Sequence, residues 1–175
     1  MRRIIVVDDE QFQRQVLRET LKRHFPEADY AVEAFADPVA ALARARVVDV
    51  AVVIADFRMP GMNGVAFLRE MRKMRPHATR LMITASSDIE TAVMALNHAE
   101  VFRFIRKPWD ATLNQAVKDA LQRHEEVVAA ERLKQGAVAA AVSAMESPEE
   151  RARVGEKEPG ITHVRLGPDG SVSLS

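Results

Sequence analysis

The chain has 175 residues, 47% of them hydrophobic and 29% charged, and its 25 basic and 25 acidic side chains cancel to a formal net charge of zero. That length holds one ordinary domain plus an extension, and the balance argues against a disordered or fibrous architecture. Zero net charge offers no footprint for nucleic acid or an anionic membrane, and the absence of cysteine removes disulfides and thiolate metal sites. No run approaches the roughly 20 apolar residues of a membrane span. Arg2-Arg3 leads straight into a strand-like run instead of a signal peptide, so the expectation is a cytoplasmic protein without nucleic-acid or membrane partners.

Taken in chain order, apolar and partly β-branched runs of strand length occur at residues 4–7, 30–34, 50–55, 81–84 and 101–105. The first is followed by Phe12, Val16, Leu17, Thr20 and Leu21 at helical spacing, and the fourth by Ile89, Ala92, Val93 and Leu96. Before the fourth strand, Arg69, Arg72, Lys73 and Arg75 with Met71 and Met74 describe an amphipathic helix with a charged outer face. Strict alternation of strand and helix predicts an α/β fold with a mainly parallel sheet covered on both faces, because parallel strands need crossovers. Ligands of such open sheets bind beyond the carboxyl ends of the strands.

After Lys107-Pro108-Trp109, high helix propensity over residues 110–145 predicts a long terminal helix that contains Gly136. Leu113, Val117, Ala120, His124, Val127, Glu131, Lys134, Val138, Ala141 and Met145 form a partial heptad seam along it. His124, beside Glu125 and Glu126, reads as a solvated helix residue, and the five histidines have no paired spacing for zinc. Residues 149–159 read as a linker. Val164, Leu166, Val172 and Leu174 alternate around Gly167-Pro168-Asp169-Gly170 as a small hairpin, with a disordered tail the equal alternative. The expected organisation is a main domain over 1–122, a helical extension over 123–146, and a linker with the hairpin over 147–175.

The chemistry lies at the strand ends. Asp8-Asp9 closes the first strand, Asp56 the third and Thr84 the fourth, and Lys107 follows the fifth. Three carboxylates in one crevice raise one another's pKa unless a cation sits among them, and oxygen ligands with room for water suit Mg²⁺. A lysine supplies positive charge for a phosphoryl oxygen and a threonine hydroxyl a hydrogen bond, so the set points to phosphoryl transfer. Singly, each residue has a plainer reading: Asp8-Asp9 as a helix cap, Asp56 as a turn residue, Thr84 as a strand-end hydroxyl.

Val6-Val7-Asp8-Asp9-Glu10, Asp56-Phe57-Arg58-Met59-Pro60-Gly61-Met62-Asn63-Gly64, Ile83-Thr84-Ala85 and Phe104-Ile105-Arg106-Lys107-Pro108 together resemble the receiver domain of bacterial two-component response regulators. The resemblance covers about residues 1–122. It implies a flavodoxin-like doubly wound, five-stranded parallel sheet of order 2-1-3-4-5 with an extended C-terminal helix. It further implies that Asp56 accepts a phosphoryl group from a sensor histidine kinase or phosphotransfer protein. By the same resemblance, Asp9 binds Mg²⁺ directly, Asp8 assists through water or hydrogen bonding, and Asp56 and the Arg58 backbone carbonyl complete the ligands. Lys107, Thr84 and the Ala85 amide contact the phosphoryl group. Thr84 and Phe104 form the switch, and the Lys107-Pro108 bond takes the cis form.

The output implied is protein contact or a homodimer, through the face of the fourth helix, fifth strand and fifth helix or through the C-terminal helix. Such a domain is a phosphoacceptor, not an enzyme, beyond its own phosphorylation and dephosphorylation. Two alternatives stay open: a receiver-like scaffold that is not phosphorylated, and an aspartyl-phosphate phosphatase. The phosphatases carry a second aspartate two residues after the nucleophile, where this chain has Arg58.

Overall fold

A computed structural model describes residues 1–25, 29–85 and 99–145 and the strand residues 164–166 and 172–174. The elements run β1 (Arg2–Val7), α1 (Gln11–His24), β2 (Tyr30–Phe35), α2 (Pro38–Val47), β3 (Val50–Asp56), α3 (Gly64–Met74), β4 (Thr79–Thr84), β5 (Arg103–Arg106), α4 (Ala111–Met145), β6 (Val164–Leu166) and β7 (Val172–Leu174). The helix expected around Ile89 to Leu96 lies outside the described residues. Five strands pair in the order β2-β1-β3-β4-β5, every pair parallel, as the alternation predicts.

Side-chain alternation divides the core between the two faces of the sheet. Ile4, Val6, Val52, Ile54, Leu81 and Ile83 pack with Leu17 and Leu21 of α1 and with Leu113 and Val117 of α4. Ile5, Val7, Val53, Ala55 and Met82 pack with Ala41 and Ala45 of α2 and with Phe67, Leu68 and Met71 of α3. Each fully buried Phe or Leu in these layers contributes roughly 1.5–3 kcal/mol. α2 and α3 are capped by short polar side chains. Asp37 accepts from the Val39 and Ala40 amides ahead of Pro38, and Asn63 accepts from the Ala66 amide.

β5 starts later than its apolar run. Glu100 takes a left-handed φ of 47°, the Phe102 amide is drawn onto the Arg80 carbonyl, and pairing with β4 begins only at Arg103. Val101, expected in the strand, fills the core beside it instead.

α4 begins where Asp110 accepts from the Thr112 amide, and it passes through Gly136 without a break. Leu113, Val117 and Ala120 of the heptad seam are buried, and so is His124 at 3% exposure, which corrects the expectation of a solvated histidine. His124 continues that seam, so the helix turns it inward, and its Nδ1 donates to the His77 carbonyl at 2.8 Å. Farther along, Leu133, Val138 and Val142 are exposed.

The chain divides into two compact units, Met1–Ala129 and Ala130–Ser175. The second contains the antiparallel pair β6-β7, with Val164 opposite Leu174 and Leu166 opposite Val172, which is the hairpin pattern of the sequence.

Candidate functional site

Parallel register carries the chemistry to one edge of the sheet. Val7 pairs with Ala55, Asp56 with Ile83, and Thr84 with Arg106, so the strand-end residues are neighbours although up to a hundred positions apart in sequence. Backbone bonds extend the alignment past the strands: the Phe57 amide donates to the Ile83 carbonyl and the Lys107 amide to the Thr84 carbonyl, each at 2.9 Å.

Asp56 is 7% exposed and Asp8 1%. Lys107 Nζ lies between them, 2.5 Å from Asp56 Oδ1 and 3.1 Å from Asp8 Oδ2. The remaining oxygens accept backbone amides, Asp56 Oδ2 from Arg58 at 2.7 Å and Asp8 Oδ1 from Glu10 at 2.9 Å. The Lys107-Pro108 peptide is cis, as the family resemblance implies.

The titration of the cluster follows from burial set against charge. Burial pushes the Asp8 carboxyl above its ordinary value; Lys107 and the Glu10 amide pull the other way, and the Asp56 charge adds to the rise. For Lys107, burial pulls downward, but the hydrogen bond and charge of Asp56, with Asp8 behind them, outweigh it and leave the ammonium raised.

The residues named from sequence are not equally engaged. Asp8, Asp56 and Lys107 form one cluster. Thr84 is buried beside it, with Oγ1 donating to the Ala85 carbonyl at 3.1 Å. Asp9 is exposed, and among the described residues no group of three His, Cys, Asp or Glu side chains gathers as a metal cluster. The crowding of three carboxylates expected from sequence is thus met by two, tied by an ammonium, with the third outside that pair. Phe104 is half-buried, pairs with Met82 across β4 and β5, and packs on the α2–α3 side of the sheet.

Gly64 has a role its place in the motif did not explain. Its amide donates to the Phe57 carbonyl, and a Cβ there would collide with the backbone carbonyl of Asp56. The first residue of α3 therefore touches the peptide that carries the central carboxylate. Arg14 belongs to this edge too: from α1 it reaches back to the carbonyls of Asp8 and Asp9, and helical periodicity carries no signal for such a contact.

A doubly wound parallel sheet that gathers a buried aspartate, a second carboxylate and a lysine at its carboxyl edge defines a phosphoacceptor type of signalling domain. Residues 4–118 match the model of the response regulator receiver domain, and the chain belongs to that family. The hydrogenase transcriptional regulatory protein HoxA of Cupriavidus necator is 36% identical over 106 residues, 61% of this chain and 21% of that protein. The transcriptional regulatory protein FixJ of Bradyrhizobium diazoefficiens is 30% identical over 149 residues, 85% of this chain and 69% of that one. A solved adenylate cyclase chain from Rhodopirellula baltica superposes with a TM-score of 0.69 at 30% identity, covering 76% of this chain and 96% of that one. The chain spans 21–29% of the length of the first curated relatives it matches. Receivers are signalling domains phosphorylated by histidine kinases, and as a family they bind Mg²⁺ at the phosphorylation site. No helix among the described residues is long and apolar enough to cross a membrane.

Proposed function

We propose that Asp56 is the phosphoacceptor and that a phosphohistidine of a sensor kinase or phosphotransfer protein is the donor. An Asp56 carboxylate oxygen attacks phosphorus, a P–O bond forms as the P–N bond breaks, and the histidine nitrogen leaves with the electron pair. The observation that carries this reading is Lys107 Nζ at 2.5 Å from Asp56 Oδ1, a half-buried cation held where charge builds on a transferred phosphoryl group. Thr84 and the Ala85 amide, at the end of the adjacent strand, are proposed as the other phosphoryl contacts.

The donors at this edge, the carboxylates of Asp8, Asp9 and Asp56 and the Arg58 carbonyl, are all hard oxygens and fit Mg²⁺. In the buried pair a single ammonium faces Asp8 and Asp56, which leaves negative charge for a cation to neutralise. Mg²⁺ held by those residues would offset charge between the carboxylates and the incoming phosphoryl group.

Thr84 and Phe104 are proposed as the switch. The Thr84 hydroxyl turns from the Ala85 carbonyl to the phosphoryl oxygen, and the Phe104 ring moves into the space released. Phenylalanine has no hydroxyl, so packing alone reports the state. The receiver proper is assigned to residues 1–122, and output to contacts of the C-terminal helix or of the face around β5, with a second copy of the chain as one partner. Arg58, standing where the phosphatases place a general acid, favours a phosphoacceptor over a turnover enzyme. The two buried acids around Lys107 favour it over an unphosphorylated scaffold.

The test is phosphorylation of wild type and Asp56→Asn by a small phosphodonor with Mg²⁺, read by intact mass and size-exclusion together. A phosphate-sized mass gain in wild type alone is expected, and a concurrent shift in size assigns output to self-association. No gain at any donor or metal concentration would leave the scaffold reading in place.

A further inference from the structure

The β1–α1 junction carries two acidic side chains of the site, yet neither adjoining peptide is held by ordinary helix capping. Glu10 stands at the N-cap of α1 without a side-chain cap bond, and its carboxylate accepts from Gln13 instead. The carbonyls of Asp8 and Asp9 are held by one side chain. Arg14 Nη1 lies 2.7 Å from the Asp8 oxygen and 3.1 Å from the Asp9 oxygen. A guanidinium nitrogen has two N–H donors, so both carbonyls can be satisfied at once, and the group stays charged at any ordinary pH. Arg14 is itself half-buried, and its own amide donates to the Glu10 carbonyl, which anchors the arm in the first turn of the helix.

Fixing those two peptide planes fixes the directions in which the Asp8 and Asp9 side chains leave the backbone. Asp8 is already locked by Lys107 and the Glu10 amide, whereas Asp9 is exposed, so its aim depends most on the backbone beneath it. We propose that Arg14 is a positioning residue for the divalent-cation site, holding the Asp8-Asp9 backbone so that the Asp9 carboxylate is presented to the metal. This rests on the reading of Asp9 as a metal ligand given above.

Two actions of Arg14 have opposite signs, which makes the inference testable. An ordering role tightens cation binding, while a bare positive charge near the carboxylates would loosen it and would be screened by salt. Both short bonds go to carbonyl dipoles, which favours ordering.

The experiment is a calorimetric Mg²⁺ titration of wild type, Arg14→Gln and Arg14→Lys at low and high salt, with urea unfolding of each and phosphate uptake at limiting and saturating Mg²⁺. Residues behind metal ligands typically change affinity by 10- to 100-fold, so Arg14→Gln is expected to weaken Mg²⁺ binding about tenfold at either salt. Arg14→Lys keeps the charge without the planar fork and is expected to lose less. Phosphate uptake should recover at saturating Mg²⁺ in both. Arg14→Lys decides the matter where Arg14→Gln does not fold: affinity below wild type supports positioning, and affinity equal to wild type overturns it. Unchanged or tighter binding in a folded Arg14→Gln likewise overturns it while leaving the phosphoacceptor reading intact. A wild type that neither binds Mg²⁺ nor takes up phosphate removes both.

Discussion

Two cations of the first compact unit, Arg80 buried and Lys107 half-buried, are handled in opposite ways. Arg80, at the amino end of β4, donates to the carbonyls of Ala99 (2.8 Å), Ala78 (2.7 Å) and Pro76 (3.4 Å) and to Glu100, which also holds Arg72. Lys107, beyond the carboxyl end of β5, has the carboxylates of Asp8 and Asp56 as partners. Backbone carbonyls neither titrate nor leave, and a planar fork that meets several of them becomes a rigid clasp. Carboxylates can exchange an ammonium for a metal or a phosphoryl group, and lysine is a point charge that can follow the change. The partners of the two cations tell them apart: Arg80 serves structure at one end of the strands, and Lys107 stands at the end proposed for the chemistry.

Breaking the clasp should have the largest effect. Arg80→Leu leaves the Ala78 and Ala99 carbonyls without their donor, while Glu100 keeps Arg72, and is expected to cost about 3 kcal/mol in urea unfolding. Arg80→Lys should recover only part, since an ammonium cannot span the same acceptors. Phosphate uptake per folded molecule should be kept in both.

Gly64→Ala strikes the other end through the backbone. Its Cβ meets the Asp56 carbonyl, so a loss of about 2 kcal/mol is expected, together with impaired phosphate uptake. Gly61→Ala is the control. Gly61 has a φ of 75° and open space around it, so the expected cost is only the left-handed penalty of about 1 kcal/mol, with uptake little changed.

The smallest effect is the pH dependence of the carboxylate–lysine cluster. Asp8 is raised on folding, so its contribution to stability is full below its unfolded pKa and is lost as pH rises through its folded one. Lys107 is also raised, so its contribution is full below its unfolded value and lost only as pH rises through its folded value in strong alkali. Glu33, held down mainly by its hydrogen bond to Arg44, has the opposite sign and loses its contribution as pH falls through its folded pKa. Asp8→Asn removes the first of these and trims the second, whose larger support from Asp56 remains. The variant should gain stability relative to wild type as pH rises through the folded pKa of Asp8, read by urea unfolding across that range. A difference that is flat with pH would show that Asp8 is not strained by burial.

Much of this was legible because it is local. The strands show as apolar runs, the paired strands β6 and β7 as the alternation of Val164, Leu166, Val172 and Leu174, and Asp8, Asp56, Thr84 and Lys107 stand out because each ends or follows a strand. The delayed start of β5 was not legible, since Val101 and Phe102 are as apolar as strand residues. A left-handed Glu100 and the Arg80 carbonyl decide it. His124 reads as solvated from its acidic neighbours although the seam it continues turns it inward, and Arg80 carries no sequence signal because a charged residue beside an apolar run gives no sign of its acceptors.

The sequence by itself determined the class of sheet, the residue types at its carboxyl edge and the length of the last helix, because these follow from periodicity, propensity and strand order. Only the tertiary structure decided which acids share Lys107, which carbonyls Arg80 and Arg14 hold, and why residue 64 has no side chain. Those contacts join positions far apart along the chain or reach backward over a helix end, and their energies depend on distance and burial that no linear pattern encodes.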